Sequence, residues 1–188
     1  MYVVPKDSRQ RYTKQCLVDA FIQALETKPV SAITVSELSN ESGISRKTFY
    51  KYYSDPFALL AALQDDLFIG LKRELETLPV DIFKITPALI EFSAKHRVLI
   101  RATFENQHEG GFIDKTIRYL YNTYHEDWEQ ANPQMSKVEV EFLFQYIVSG
   151  LVGIIRHWII NYPKLSTKEV IQRADYLMKL TTPSRLNL

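Results

Sequence analysis

The chain has 188 residues, 46% of them hydrophobic and 24% charged, with a net charge of +1, which excludes disorder and gives enough apolar content for a packed core. A single cysteine, Cys16, excludes an internal disulfide and a cysteine-based metal cluster, and points to a reducing cytoplasmic compartment. The longest uncharged apolar stretch, residues 142–155, is shorter than the about 20 residues a membrane span needs, so no membrane partner is expected.

The amino end, MYVVPKDSRQR, lacks the apolar core of a secretory signal. Residues 1–53 carry eight Lys/Arg against five Asp/Glu, whereas residues 54–188 carry 15 against 17. The basic end permits an anionic partner there. Leu17, Phe21, Ile22 and Leu25 recur at helical spacing and predict a helix over about 9–27. Lys28-Pro29 ends it, because a residue before proline is pushed out of the helical region. Thr34 is an N-cap candidate, with Glu37 three residues on to complete a capping box. That short helix carries Val35 and Leu38 inward and stops near Gly43. Ser45 opens the next helix, SRKTFYKYY, and Ser54-Asp55-Pro56 starts another with proline at its first position. From there Leu60, Leu63, Leu67, Leu71 and Leu75 form a stripe about five turns long.

Farther on, Pro79 and Pro87 punctuate, and 87–107 reads as two helices or one bent one. Gly110-Gly111 breaks the pattern. Phe112, Ile113, Ile117, Leu120, Tyr121 and Tyr124 carry a helix to about Trp128, and Asn132-Pro133 breaks it. Residues 136–161 form a long helix apolar almost all round, Tyr162-Pro163 ends it, and Thr167 caps a last helix reaching about Leu180. No strand or repeat is expected: the fold class is all-α.

The stretch ITVSELSNESGISRKTFYKYY reads as two short helices packed through Val35, Leu38, Ile44 and Phe49, with Gly43 where the chain turns sharply. This is the arithmetic of a helix-turn-helix, whose second helix enters the major groove of DNA. Its amino end offers Ser45, Arg46, Lys47 and Thr48. Arginine can grip guanine bidentately, while lysine, hydroxyls and free N–H groups suit phosphate oxygens. Phe49 and Tyr53 should point inward, with Tyr50 and Tyr52 on other faces.

Over residues 9–63 the chain resembles the TetR/AcrR transcriptional regulators, through the pattern ITV..L....GIS..TFY.YY....LL. The resemblance implies a three-helix DNA-binding domain (1–54) and an all-α bundle (55–188) that dimerises and usually takes a small ligand, about nine helices in all. By position it assigns base reading to Arg46, Lys47 and Tyr50. It assigns backbone contacts to Thr34, Ser45, Thr48, Lys51 and Tyr52. Where most members carry a phosphate-binding lysine near the start of the fourth helix, this chain has Pro56 after Asp55. Arg9, Arg11 or Lys14 would have to compensate.

In helix 136–161, Leu143, Ile147, Leu151, Ile154 and Trp158 make one stripe, and Phe142, Tyr146, Ser149, Gly150, Gly153, His157 and Ile160 a second. Two buried faces need two partners, and the last helix offers Ile171, Ala174 and Met178, with Val170 and Leu177. A symmetric four-helix dimer interface fits; burial of both faces within one monomer is the alternative. Aromatics crowd residues 83–128, most of them core, and any ligand site lies among them. Its candidates are Phe104, Arg101, Glu105, His108, Tyr121, Tyr124 and His125. Glu105 and His108 have Glu-x-x-His spacing, but no second pair completes a bundle metal site, so neither metal, cofactor nor catalysis is expected. Cys16 reads as core.

The expectation is therefore a homodimeric repressor, cytoplasmic and nucleoid-associated, that binds a palindromic double-stranded operator and is released by a small-molecule effector. The alternative is a coactivator or adaptor of the same fold that acts through protein contacts, favoured only by Asp55-Pro56.

Overall fold

Thr34 stands in extended backbone at the head of a short helix, and its hydroxyl accepts the N–H of Glu37 at 3.2 Å. Nine residues later Gly43 closes that helix at φ 69°, in the left-handed region where a side chain would be strained. The computed structural model describes residues 8–79, 81–107 and 110–181. Among them run nine α-helices and a 3-10 turn at Val30–Ala32, with no strand. The helices are α1 (Ser8–Thr27), α2 (Val35–Ser42), α3 (Arg46–Tyr50), α4 (Pro56–Leu75) and α5 (Ile82–Lys95). They continue with α6 (Arg97–Glu105), α7 (Phe112–Ala131), α8 (Lys137–Asn161) and α9 (Thr167–Thr181).

Packing follows the apolar stripes. α1 lies against α2 and α6, and α3 against α2. α4 runs from the 3-10 turn into contact with α5, α6 and α7. α7 pairs with α8, and α9 lies on α5 and α8. Leu59, Leu60, Leu63, Leu67, Leu71 and Leu75 are all buried, so the leucine stripe of α4 ties the 3-10 turn to α5, α6 and α7.

Several local expectations are corrected. Glu37 does not complete a capping box; its carboxylate pairs with Lys28, which holds it below the usual range. The complete boxes are at Ser136–Glu139 and Ser166–Glu169, so Ser166 rather than Thr167 caps α9. Pro87 does not divide the segment: α5 starts earlier, where Asp81 accepts the N–H of Phe83 at 2.8 Å, and passes through the proline. The break falls at His96. Helix α3 is shorter than SRKTFYKYY, because Lys51 and Tyr52 donate to Thr48 and Phe49 in a tightened turn. Cys16 is half-buried.

Candidate nucleic-acid interface and regulatory cavity

In α3 one side chain is sacrificed to packing and its neighbours are left out. Phe49 is fully buried, edge-on to Tyr50 and tilted against Tyr53, both with centroids at 5.8 Å. Arg46, Lys47 and Tyr50 are exposed, Tyr50 at 58%. Ser45 caps the helix by accepting the Thr48 N–H at 3.2 Å, and the two hydroxyls lie 2.9 Å apart. The structure thus brings Ser45, Arg46, Lys47, Thr48, Tyr50 and Lys51 onto one short helix and the turn after it, with exposed Thr34 at the head of α2.

Two neighbours extend this surface. Arg46 donates to the Ser36 hydroxyl at 3.3 Å, which steers its guanidinium across α2. Tyr52 is half-buried rather than free, with the ammonium of Lys14 5.4 Å and that of Lys51 5.9 Å from its ring centre. Lys14, from α1, is therefore carried to the edge of α3. Ser36 was invisible from sequence, because its role depends on how α2 crosses α3. Pro56 is buried, so its position packs inward, and Asp55 accepts the Ala58 N–H at 2.8 Å. That bond, helped by the Ser54 hydroxyl, holds the Asp55 carboxyl below its usual range.

Inside the bundle, α4 to α8 enclose a narrow apolar cavity of about 60 Å³. Ile85, Leu89 and Phe92 of α5, Ile100 and Phe104 of α6, Tyr124 and Trp128 of α7, and Phe144 and Leu151 of α8 line it. Its few hydroxyls are mostly committed: Ser93 donates to Leu89 and Thr116 to Phe112. Burial pushes the Tyr124 phenol up. Of the ligand candidates, Phe104 and Tyr124 line this cavity.

Arg101, Glu105, Tyr121 and His125 do not line it. Arg101 points away from the cavity and donates to the Leu25 carbonyl near the end of α1, with Glu105 3.9 Å from it on the surface. Tyr121 and His125 stack on each other at 5.0 Å, Tyr121 facing an outer recess beside Arg118 and Glu141. A polar side chain on an amphipathic helix goes to the wet face, which is why the polar guesses missed an apolar cavity. His108 lies outside the described residues. Ile100, a lining residue not named from sequence, left one signal, its place four residues before Phe104 on one face of α6.

Helix α8 shows both its faces. Ile147, Leu151 and Trp158 are buried and Leu143 and Ile154 half-buried. Phe142 (74%), Tyr146 (58%), Ser149, Gly150, Gly153, His157 and Ile160 are exposed. Nothing lies within 4 Å of a Cβ built on Gly150 or Gly153. On α9 the expectation is corrected: Ala174 is fully buried and Ile171 and Met178 are half-buried against the core, since α9 packs on α5. Tyr176, Leu177 and Leu180 are the exposed apolar residues there.

A family model described as "Transcriptional regulator C-terminal region" matches residues 81–180, more than half of the chain. The HTH-type transcriptional regulator EthR of Mycolicibacterium smegmatis is 39% identical over 61 residues. That match covers 30% of this chain and 28% of that regulator's length. Among solved structures, the fatty acid degradation regulator FadR from Bacillus halodurans superposes with a TM-score of 0.65 at 15% identity, covering 93% of this chain and 97% of that one. A TetR transcriptional regulator from Streptococcus agalactiae 2603V gives 0.61 at 21% identity, covering 92% and 96%.

Proposed function

The chain belongs to the TetR family of transcriptional regulators, and on that premise we propose that it is a cytoplasmic homodimeric repressor, released from a palindromic operator by a small-molecule effector. The observation that supports operator binding is the division of α3: Phe49 is committed to the core, while Arg46, Lys47 and Tyr50 are presented to solvent from a capped helix start. Arg46, Lys47 and Tyr50 read base edges in the major groove. Thr34, Ser45, Thr48, Lys51 and Tyr52 hold the phosphate backbone, with Lys14 beside them.

The exposed face of α8 from Phe142 to Ile160, with Tyr176, Leu177 and Leu180 of α9, joins two copies. Gly150 and Gly153 let the two α8 backbones approach closely. Two recognition helices then reach successive major grooves about 34 Å apart. Release runs through α6, which carries Ile100 and Phe104 into the cavity and Arg101 onto α1. An effector that widens the cavity displaces α6, and α1 moves with it, so the effector favours the arrangement that does not fit the operator.

The experiment is selection of bound fragments from genomic DNA, followed by mobility shifts with Arg46→Ala and Tyr50→Ala proteins. Each substitution should weaken the selected site by about 1–3 kcal/mol. Unchanged affinity in both proteins sinks α3 as the reading head. Absence of any salt-dependent DNA retention points instead to an adaptor acting through protein contacts.

A further inference from the structure

The cavity that α4 to α8 enclose is walled almost wholly by hydrocarbon. Among the described residues that line it there is no Lys, Arg, His, Asp or Glu. Its two aliphatic hydroxyls have each spent their one hydrogen on their own helix. Ser93 donates to the Leu89 carbonyl at 2.7 Å and Thr116 to the Phe112 carbonyl at 2.8 Å. Tyr124 stays a neutral phenol, since burial above all pushes it up. A water in such a space finds too few of the two to four polar partners it needs, so the space stays dry. A dry hollow leaves its lining without contacts on one side, and an apolar group that enters restores them. A charged group would give up its hydration there with no opposite charge to meet it.

We propose that the cavity takes an uncharged hydrocarbon group, an aromatic ring or a compact aliphatic chain about the size of benzene, selected by size and shape rather than by hydrogen bonds. This rests on the proposed effector site and names the chemistry that fills it. The size follows from release. The hollow is about 60 Å³, less than half of the about 150 Å³ of an engineered cavity that takes benzene. A group that fitted the hollow as it stands would leave the walls where they are and shift no equilibrium. One the size of benzene must part the walls, and Ile100 and Phe104 put α6 among them. The ring or chain can belong to a wholly neutral molecule, or be the apolar end of one whose charged head stays outside the cavity.

The test titrates the full chain, without DNA, with toluene, benzylamine, phenylacetate, p-xylylenediamine and 1,4-phenylenediacetate at pH 7, reading ligand-observed NMR and the rise in Tm. Toluene should bind saturably, at least about tenfold tighter than either compound charged at both ends. Benzylamine or phenylacetate as tight as toluene identifies the group as the apolar end of a charged molecule, and both weaker than toluene identify a neutral one. Ser93→Ala and Thr116→Val should each leave toluene affinity within about twofold, whereas Val148→Phe, which puts a ring into the hollow, should weaken it at least about tenfold. A doubly charged compound that matches toluene overturns the apolar assignment, and so does a tenfold loss in the Ser93→Ala or Thr116→Val protein. Unchanged toluene affinity in a folded Val148→Phe protein overturns the site, and no saturable toluene binding overturns both. The comparison among ligands uses the unsubstituted protein, so it survives a variant that fails to fold. Toluene that binds as expected, yet leaves the protein on its selected DNA site, sinks the release mechanism and not this assignment, so the two fail separately.

Discussion

Phe49 and Gly43 carry the recognition unit, and each does so by a different means. Phe49 anchors α3 by burial alone, and Phe49→Ala should cost about 3–5 kcal/mol, visible as a lowered midpoint in denaturant unfolding. Gly43 has open space around it, so Gly43→Ala meets no clash. Its positive φ still makes the substitution cost about 1–2 kcal/mol. Lys14 is proposed to act through charge rather than shape. Lys14→Ala should weaken binding to all DNA sequences alike and lower the slope of log affinity against log salt by about one. An unchanged slope would place Lys14 outside the phosphate contacts.

Helix ends form the next level, where hydrogen bonds to orphan backbone groups tie elements together. Asp55, Glu139 and Glu169 are all held below their usual range, chiefly by the backbone N–H groups they face at helix starts, while Glu37 owes its lowering first to Lys28. Such lowered groups contribute stability that is complete above the ordinary carboxyl range near about pH 4 and is lost as pH falls through their lowered values. Glu139→Gln keeps a cap partner without the titrating charge. The gap in Tm between it and the unsubstituted protein should therefore shrink below about pH 4. Arg97 and Arg101, four apart on α6, reach two different helices. Arg97 lies over the Trp158 ring at 4.9 Å and donates to the Trp158 and Ile159 carbonyls, and Arg101 donates to Leu25. Hydrogen exchange should speed at the end of α1 in Arg101→Ala and at the end of α8 in Arg97→Ala. If either change speeds both ends equally, α6 is not a link with two separable grips.

At the scale of the whole molecule, the exposed face of α8 is the feature a lone chain does not explain. Phe142, Tyr146 and Ile160 lie in the open beside two glycines, and an apolar face of this kind marks an interaction surface. A Phe142→Glu/Tyr146→Glu protein should sediment as a monomer with its helical content intact. Its operator affinity should fall by about a hundredfold or more, because the two half-sites would no longer be bound together. A double variant that stays dimeric would move the interface elsewhere.

The helices, the turn at Gly43 and the division of α3 were legible in the sequence, because they rest on short-range physics: 3.6-residue periodicity, cap chemistry and the backbone freedom of glycine. The two faces of α8 were legible for the same reason. Where sequence reading failed, a distant partner decided the outcome. Glu37 turned to Lys28 instead of its own helix start, Pro87 was absorbed by a helix whose packed apolar face outweighs one lost hydrogen bond, and Ala174 went inward because α5 lies across α9. The cavity belongs to the same class. Periodicity says that a side chain faces inward, but only the meeting of five helices sets whether the inside there is filled, hollow or polar.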